Sequence, residues 1–229
     1  MVKKDKGIIM KYYPVCLNVC NRRCLVVGGG GVGTRKVKSL VDCGARVTVV
    51  TLTAAPELEQ MAARGEIALV KRAYTPADLT DTFLVFGATS DTALNDRIHQ
   101  DAEDRKILCN IADYPAGCNF ILPSVVQRGD LQIAVSTSGK SPAFARWMRK
   151  EMETRYGPEY ADFLRLMGLV RDKLLAEKHE PEAHKPLFEQ LVHSALPELI
   201  RRGQKNEVDD ILVKVLGRGF SCRELNFDW

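Results

Sequence analysis

Long apolar runs are missing from this chain, and no stretch approaches the ~18 residues of a membrane span. The start carries Lys3, Lys4 and Lys6, but only Ile8-Ile9-Met10 follow them. That is too short for the apolar core of a secretion signal, so the expected location is the cytoplasm. The first nine residues read as a dispensable extension, with Met10 a second candidate start. Paired cysteines are missing too. The seven thiols fall at 16, 20, 24, 43, 109, 118 and 222, an odd and scattered set that suits reduced thiols rather than a disulfide framework. Aromatic residues are only 7 % of the chain and the net charge is +4, which offers neither a stacking platform nor a basic stripe for nucleic acid.

Metal-ligand spacings are absent as well. There is no H-E-x-x-H and no C-x-x-C, and His99, His179, His184 and His193 stand apart. His99 reads as a surface residue of a helix, and His179 and His184 as solvated members of a charged linker. Cys109 and Cys118 read as small apolar core residues. No metal site is expected.

What remains is a globular composition, 45 % hydrophobic and 27 % charged over 229 residues. Residues 24–27 form an apolar run that ends in four glycines, Gly28 to Gly31, and 32–43 have helical periodicity closed by Gly44. Strands are predicted at 46–51, 66–70, 83–87 and 107–109, and helices at 55–64 and 91–105. Strands alternating with helices imply a parallel sheet covered on both faces. Two extended runs, 119–126 and 131–137, flank Arg128-Gly129-Asp130 and suggest a hairpin. Ser141-Pro142 opens a helix, with serine as the cap and proline at the first helical position. Beyond Gly157-Pro158 the pattern is helical. Residues 160–174, 187–202 and 207–216 carry apolar stripes, and 177–186 read as a charged linker. The expected class is α/β, a Rossmann-type sheet at 1–113, a linking and dimerisation element at 114–150 and a helical domain at 151–229.

Gly28, Gly30 and Gly33 satisfy G-x-G-x-x-G between a strand and a helix. One glycine makes the turn, one admits a pyrophosphate, and one lets helix and strand pack closely. The helix start then offers free N–H groups to phosphate. A P-loop is excluded, because Thr34-Arg35 follow Gly33 where Lys-Ser would stand. The second strand ends in Thr51-Leu52-Thr53, without the acidic residue that would hold ribose hydroxyls. No arginine in 51–56 could receive a 2′-phosphate, so the preference is for NAD. Candidate cofactor contacts are Gly28, Gly30, Gly31, Val32 and Gly33, then Thr51, Leu52 and Thr53, then Ala88 and Thr89 after the fourth strand.

Several stretches together resemble the precorrin-2 dehydrogenase family, the small siroheme-synthase proteins. They are Tyr13-Pro14-Val15, the glycine start from Leu25 to Lys36, Gly87-Ala88-Thr89-Ser90-Asp91, Cys109-Asn110-Ile111-Ala112-Asp113, Asn119-Phe120-Ile121-Leu122-Pro123, and Ser136-Thr137-Ser138-Gly139-Lys140-Ser141-Pro142. The resemblance is close over 12–155; the tail is similar only in type and position. It implies NAD-dependent oxidation of precorrin-2 to sirohydrochlorin, insertion of Fe(II) by some members, and homodimers formed through the segment after the sheet. By position it makes Asp113 the acid/base, and Gly31-Val32 and Leu52-Thr53 the NAD-contacting pairs. Tyr114 stands where many members carry a second aspartate or a small residue, and Gly33 where alanine is frequent.

Without the resemblance, the residues leave Asp113 open between an acid/base and a turn residue. Asp113 follows the fifth strand at the carboxyl edge of the sheet, where open α/β sheets bind ligands. A carboxylate there could take the proton lost with a hydride, although Asp113-Tyr114-Pro115 also suits a plain turn. The tetrapyrrole that the resemblance implies carries many carboxylates and calls for cations and a helix N-terminus. Arg128, Lys140, Ser141, Arg146 and Arg149 are the candidates, and an ordinary solvated basic face is the alternative. A module that binds NAD(H) to sense redox state, and turns nothing over, is the competing function.

Overall fold

The computed structural model describes residues 11–112, 114, 117–176 and 181–229, with the side chains of 181–183 excepted. Asp113, Pro115, Ala116, His179 and the start of the chain lie outside the described residues. The chain divides into two units, one ending at Leu122 and the other spanning Pro123–Trp229. The predicted segment 114–150 straddles that boundary.

In the first unit β1 (Arg23–Gly29), β2 (Arg46–Ala54), β3 (Ala68–Lys71), β4 (Leu84–Gly87) and β5 (Leu108–Ile111) form one sheet in the order β3-β2-β1-β4-β5. All four pairings are parallel. The helices α1 (Gly31–Asp42), α2 (Pro56–Ala63) and α3 (Thr92–Asp104) make the crossovers, with a 3-10 turn at Pro76–Leu79. Successive side chains of a strand point to opposite faces. Cys24 and Val26 therefore join Val37, Val49, Leu58 and Phe86 on one face, while Leu25 and Val27 join Val50, Val85, Ile98 and Cys109 on the other. Burial on both faces explains why these strands read as apolar runs rather than alternating ones. The chain order reverses between β1 and β4, which places a topological switch point beside Gly28.

In the second unit β6 (Ser124–Arg128) and β7 (Leu131–Val135) form the antiparallel hairpin that the sequence suggests. Residues 119–123 are not part of a strand, contrary to the predicted run 119–126. Then α4 (Pro142–Arg155) starts at Ser141 as expected, the serine hydroxyl accepting from the Phe144 N–H. The helices α5 (Glu159–Ala176), α6 (Pro181–Val192), α7 (Leu196–Arg201) and α8 (Lys205–Leu216) enclose a core that includes Leu166, Val170, Leu191, Leu196 and Leu212.

Three expectations are corrected. The charged segment 177–186 is not all linker, because α6 begins at Pro181. Its apolar stripe, His184, Leu187, Phe188 and Leu191, starts inside the charged run, so His184 is buried rather than solvated. The predicted helix 187–202 is two helices. Pro197 sits in the first turn of α7, where a missing N–H costs nothing, and it cannot continue the ladder of α6. Finally, His99 is half-buried and its Nδ1 is shielded from solvent, so it is not a plain surface residue.

Candidate functional site at the glycine turn

The glycines have separate jobs. Gly28 has a φ of +114°, a conformation side chains rarely adopt, and a β-carbon there would stand 2.3 Å from the Ala88 carbonyl oxygen. A β-carbon on Gly29 would meet the Thr53 carbonyl oxygen at 2.4 Å, and one on Gly33 would meet the Gly28 carbonyl oxygen at 2.2 Å. These three close the turn against β4, β2 and α1. Gly30 and Gly31 face open space, with no atom within 4 Å of an added β-carbon. They form the floor of a cradle that side chains would fill.

That cradle lies at the start of α1. Gly30 is the N-cap and supplies no side chain, and the first turn contains no acidic residue. The first N–H groups of a helix have no partner within it, and the helix dipole favours negative charge there. Thr34, also buried, spends its hydroxyl on the Gly30 carbonyl at 3.0 Å. The turn thus presents N–H groups, open space and no competing carboxylate, which fits the pyrophosphate of a dinucleotide.

The cradle has two walls. On one side β2 runs three residues past its predicted end, so Leu52 and Thr53 are part of the strand. Gly29 pairs with Ala54 after an irregularity in the register. Thr51 is buried, with its hydroxyl donating to the Thr53 carbonyl at 2.7 Å, whereas Leu52 is 74 % exposed. On the other side, the Ala88 N–H donates to the Val27 carbonyl at 2.8 Å. The Thr89 hydroxyl lies 2.8 Å from Asn95 Oδ1, and Asn95 Nδ2 returns a bond to the Thr89 carbonyl at 3.0 Å. Sequence reasoning missed Asn95. Its signal was a polar residue in register with Ile98 and Ala102 on the buried stripe of α3.

The sheet edge that leads to Asp113 is fastened on both sides. The Ala112 N–H donates to the Gly87 carbonyl at 2.8 Å. Asn119 then accepts from the Cys109 N–H at 2.8 Å and donates to the Ile107 carbonyl at 3.1 Å. Asn110 Nδ2 donates to the Phe120 carbonyl at 3.0 Å. The Cys118 sulfur sits 3.2 Å from the Ile111 N–H. Asn110, Cys118 and Asn119 therefore tie the segment after β5 back onto β5. Tyr114 is 41 % exposed, and its ring is close to where a side chain on Gly117 would lie.

The basic candidates belong to the second unit and do not form one cluster. Lys140 and Ser141 stand at the start of α4, where Gly139 has a φ of +79° and the Ser141 N–H donates to the Thr137 hydroxyl at 3.1 Å. Arg146 is exposed on the second turn. Arg149 pairs with Glu153. Arg128 lies at the far end of α4, donating to the Tyr156 carbonyl at 3.0 Å and to that of Glu153 at 3.4 Å. It holds the last carbonyls of the helix, as arginines near C-termini do.

Known proteins resemble this arrangement in sequence and in fold. A family model described as putative NAD(P)-binding matches residues 15–124, and one described as the central part of sirohaem biosynthesis proteins matches residues 128–155. A siroheme synthase of Thioalkalivibrio sulfidiphilus is 36 % identical over 215 residues, 94 % of this chain and 44 % of that protein. A siroheme synthase of Nitrosococcus oceani is 33 % identical over 92 % of this chain and 45 % of its own length. The chain spans less than half the length of these relatives. The solved structure of SirC, a precorrin-2 dehydrogenase, superimposes with a TM-score of 0.69 at 25 % identity, over 87 % of this chain and all of that one. A Rossmann-type unit with an open glycine cradle, followed by a segment that matches the sirohaem central model, makes this chain similar to siroheme synthases over less than half of their length and to the fold of SirC over all of that protein.

Proposed function

We propose that the chain is an NAD-dependent dehydrogenase that oxidises precorrin-2 to sirohydrochlorin. The observation that carries this reading is the open cradle at Gly30 and Gly31, in a chain whose fold follows a precorrin-2 dehydrogenase along that protein's whole length. The first N–H groups of α1 hold the pyrophosphate. Leu52, exposed beside Gly29, offers an apolar face to the adenosine, and Thr53 lies next to it. Without a carboxylate at the end of β2, ribose recognition rests on backbone and hydroxyl groups. When bound, NAD supplies the hydride acceptor. The chain supplies the base: Asp113, two residues beyond β5, takes the proton that leaves with the hydride.

Lys140, the start of α4 and Arg146 receive substrate carboxylates. Arg128 and Arg149 contribute less to binding, since both are engaged within the second unit. Phe144 and Trp147 lie 5.5 Å apart, each 52 % exposed on α4. This exposed aromatic pair forms the face through which two copies associate. The reaction belongs in the cytoplasm; among the described residues no helix is long and apolar enough to cross a membrane. Anaerobic incubation with precorrin-2 and NAD tests the reading through the appearance of NADH and sirohydrochlorin. Fe(II) added to the same cuvette reads metal insertion.

A further inference from the structure

The opposite end of the sheet holds a second polar cleft. It is an open hollow of about 480 Å³ where β1, β2 and the approach to β4 begin. Arg22, Arg23 and Arg46 line it, together with Asn21, Asp81 and Phe83. Arg23 and Arg46 are register partners on adjacent parallel strands, which puts two like charges side by side. Neutral groups hold two of the guanidiniums in place. Arg46 Nε donates to the Asn21 carbonyl at 2.9 Å, and Arg22 lies over the Phe83 ring at 5.6 Å. The carboxylate among the described lining residues is Asp81, 4.0 Å from Arg23 with its side chain 80 % exposed, a weak contact in high dielectric. The rim is fixed by backbone bonds from Arg46 to Arg22, from Phe83 to Arg23 and from Asn21 to Gly44. Asn21 and Asp81 have φ values of +57° and +56°, conformations that non-glycine residues rarely adopt.

Three guanidiniums, two of them held by neutral partners, against one loosely held carboxylate leave an excess of positive charge in this open hollow. We propose that this cleft is a second anion site, which takes a small molecule carrying two or more phosphate or carboxylate groups close together. Planar guanidiniums bind both kinds of oxyanion in pairs of parallel hydrogen bonds. A hollow of this size suits a small molecule. The site is separate from the glycine turn, since the seven residues of β1 put about 20 Å between the two ends of that strand.

Calorimetric titration of the full chain with tripolyphosphate and, separately, citrate tests this proposal and shows which oxyanion is preferred. Saturable binding in the micromolar range is expected for at least one of them. Arg22→Gln and Arg23→Gln should each weaken it about tenfold, with melting temperatures unchanged. If Arg23→Gln lowers the melting temperature, Arg23→Lys replaces it, and the loss of the paired hydrogen bonds should still weaken binding. The absence of saturable binding in the wild type overturns the proposal. So does binding that survives in the double variant Arg22→Gln/Arg23→Gln, because the anion would then sit elsewhere.

Discussion

Gly28 and Ala88 lie so close that a β-carbon on the glycine would stand 2.3 Å from the alanine carbonyl oxygen. The contact joins β1 to the loop after β4, at the switch point of the sheet. Gly28→Ala must therefore strain a φ of +114° and push that loop outward. Strain of this kind costs of order 1–3 kcal/mol. Thermal unfolding should show a lower melting temperature, and NAD titration a weaker affinity. An unchanged melt would mean that the turn is slack.

Lys140 and Arg128 should separate in kinetics. Lys140→Gln is expected to raise KM for the tetrapyrrole several-fold and to leave the melt alone. Arg128→Gln should do the reverse, since it deprives the Tyr156 and Glu153 carbonyls of their donor. A lost hydrogen bond to a charged donor costs roughly 1.5–3 kcal/mol. Steady-state rates and melting curves on the two variants decide between these roles.

The successes and the failures of the sequence reading have different physical causes. The glycine turn and the Ser141-Pro142 helix start were legible because each depends on a few neighbouring residues. The doubly covered sheet was legible from its apolar strands. The missed features depend on distant partners. Asn95 matters because Thr89 packs on it, and Asn119 because its amide bonds along β5 in place of another strand. The start of α6 was hidden because Pro186 and many charges mask the stripe that begins at His184. The scatter of the basic residues was hidden too, since sequence spacing does not show that Arg128 is turned onto the C-terminal end of α4.

Thiol reactivity should divide the cysteines. Burial pushes Cys24 up from the usual 9.0 to about 11 and Cys109 to about 12; burial, followed by the adjacent Asp209, does the same for Cys222. These three should resist a disulfide reagent at pH 8, while the exposed Cys16, Cys20 and Cys43 react at once. The raised values also fix a sign for stability. The protonated thiols favour the folded chain fully below about pH 9, and that contribution is lost as pH rises through 9 towards 12. Denaturant midpoints should fall across that window, and a flat profile would contradict the burial.

Trp147 provides a test of association. Trp147→Glu puts a charge on the exposed aromatic pair of α4 and should shift the sedimentation coefficient from dimer to monomer, with NAD affinity retained. A variant that sediments as the wild type would move the interface elsewhere.

The most direct measurement is anaerobic turnover of precorrin-2 with NAD by the wild type and by Asp113→Asn, following NADH and sirohydrochlorin together. The account predicts equal amounts of the two products from the wild type. It also predicts that Asp113→Asn binds NAD normally and turns over about a hundredfold or more slower, the usual scale for loss of a positioned base. A wild type that binds NAD and forms neither product, or an Asp113→Asn variant that matches the wild-type rate, would contradict it.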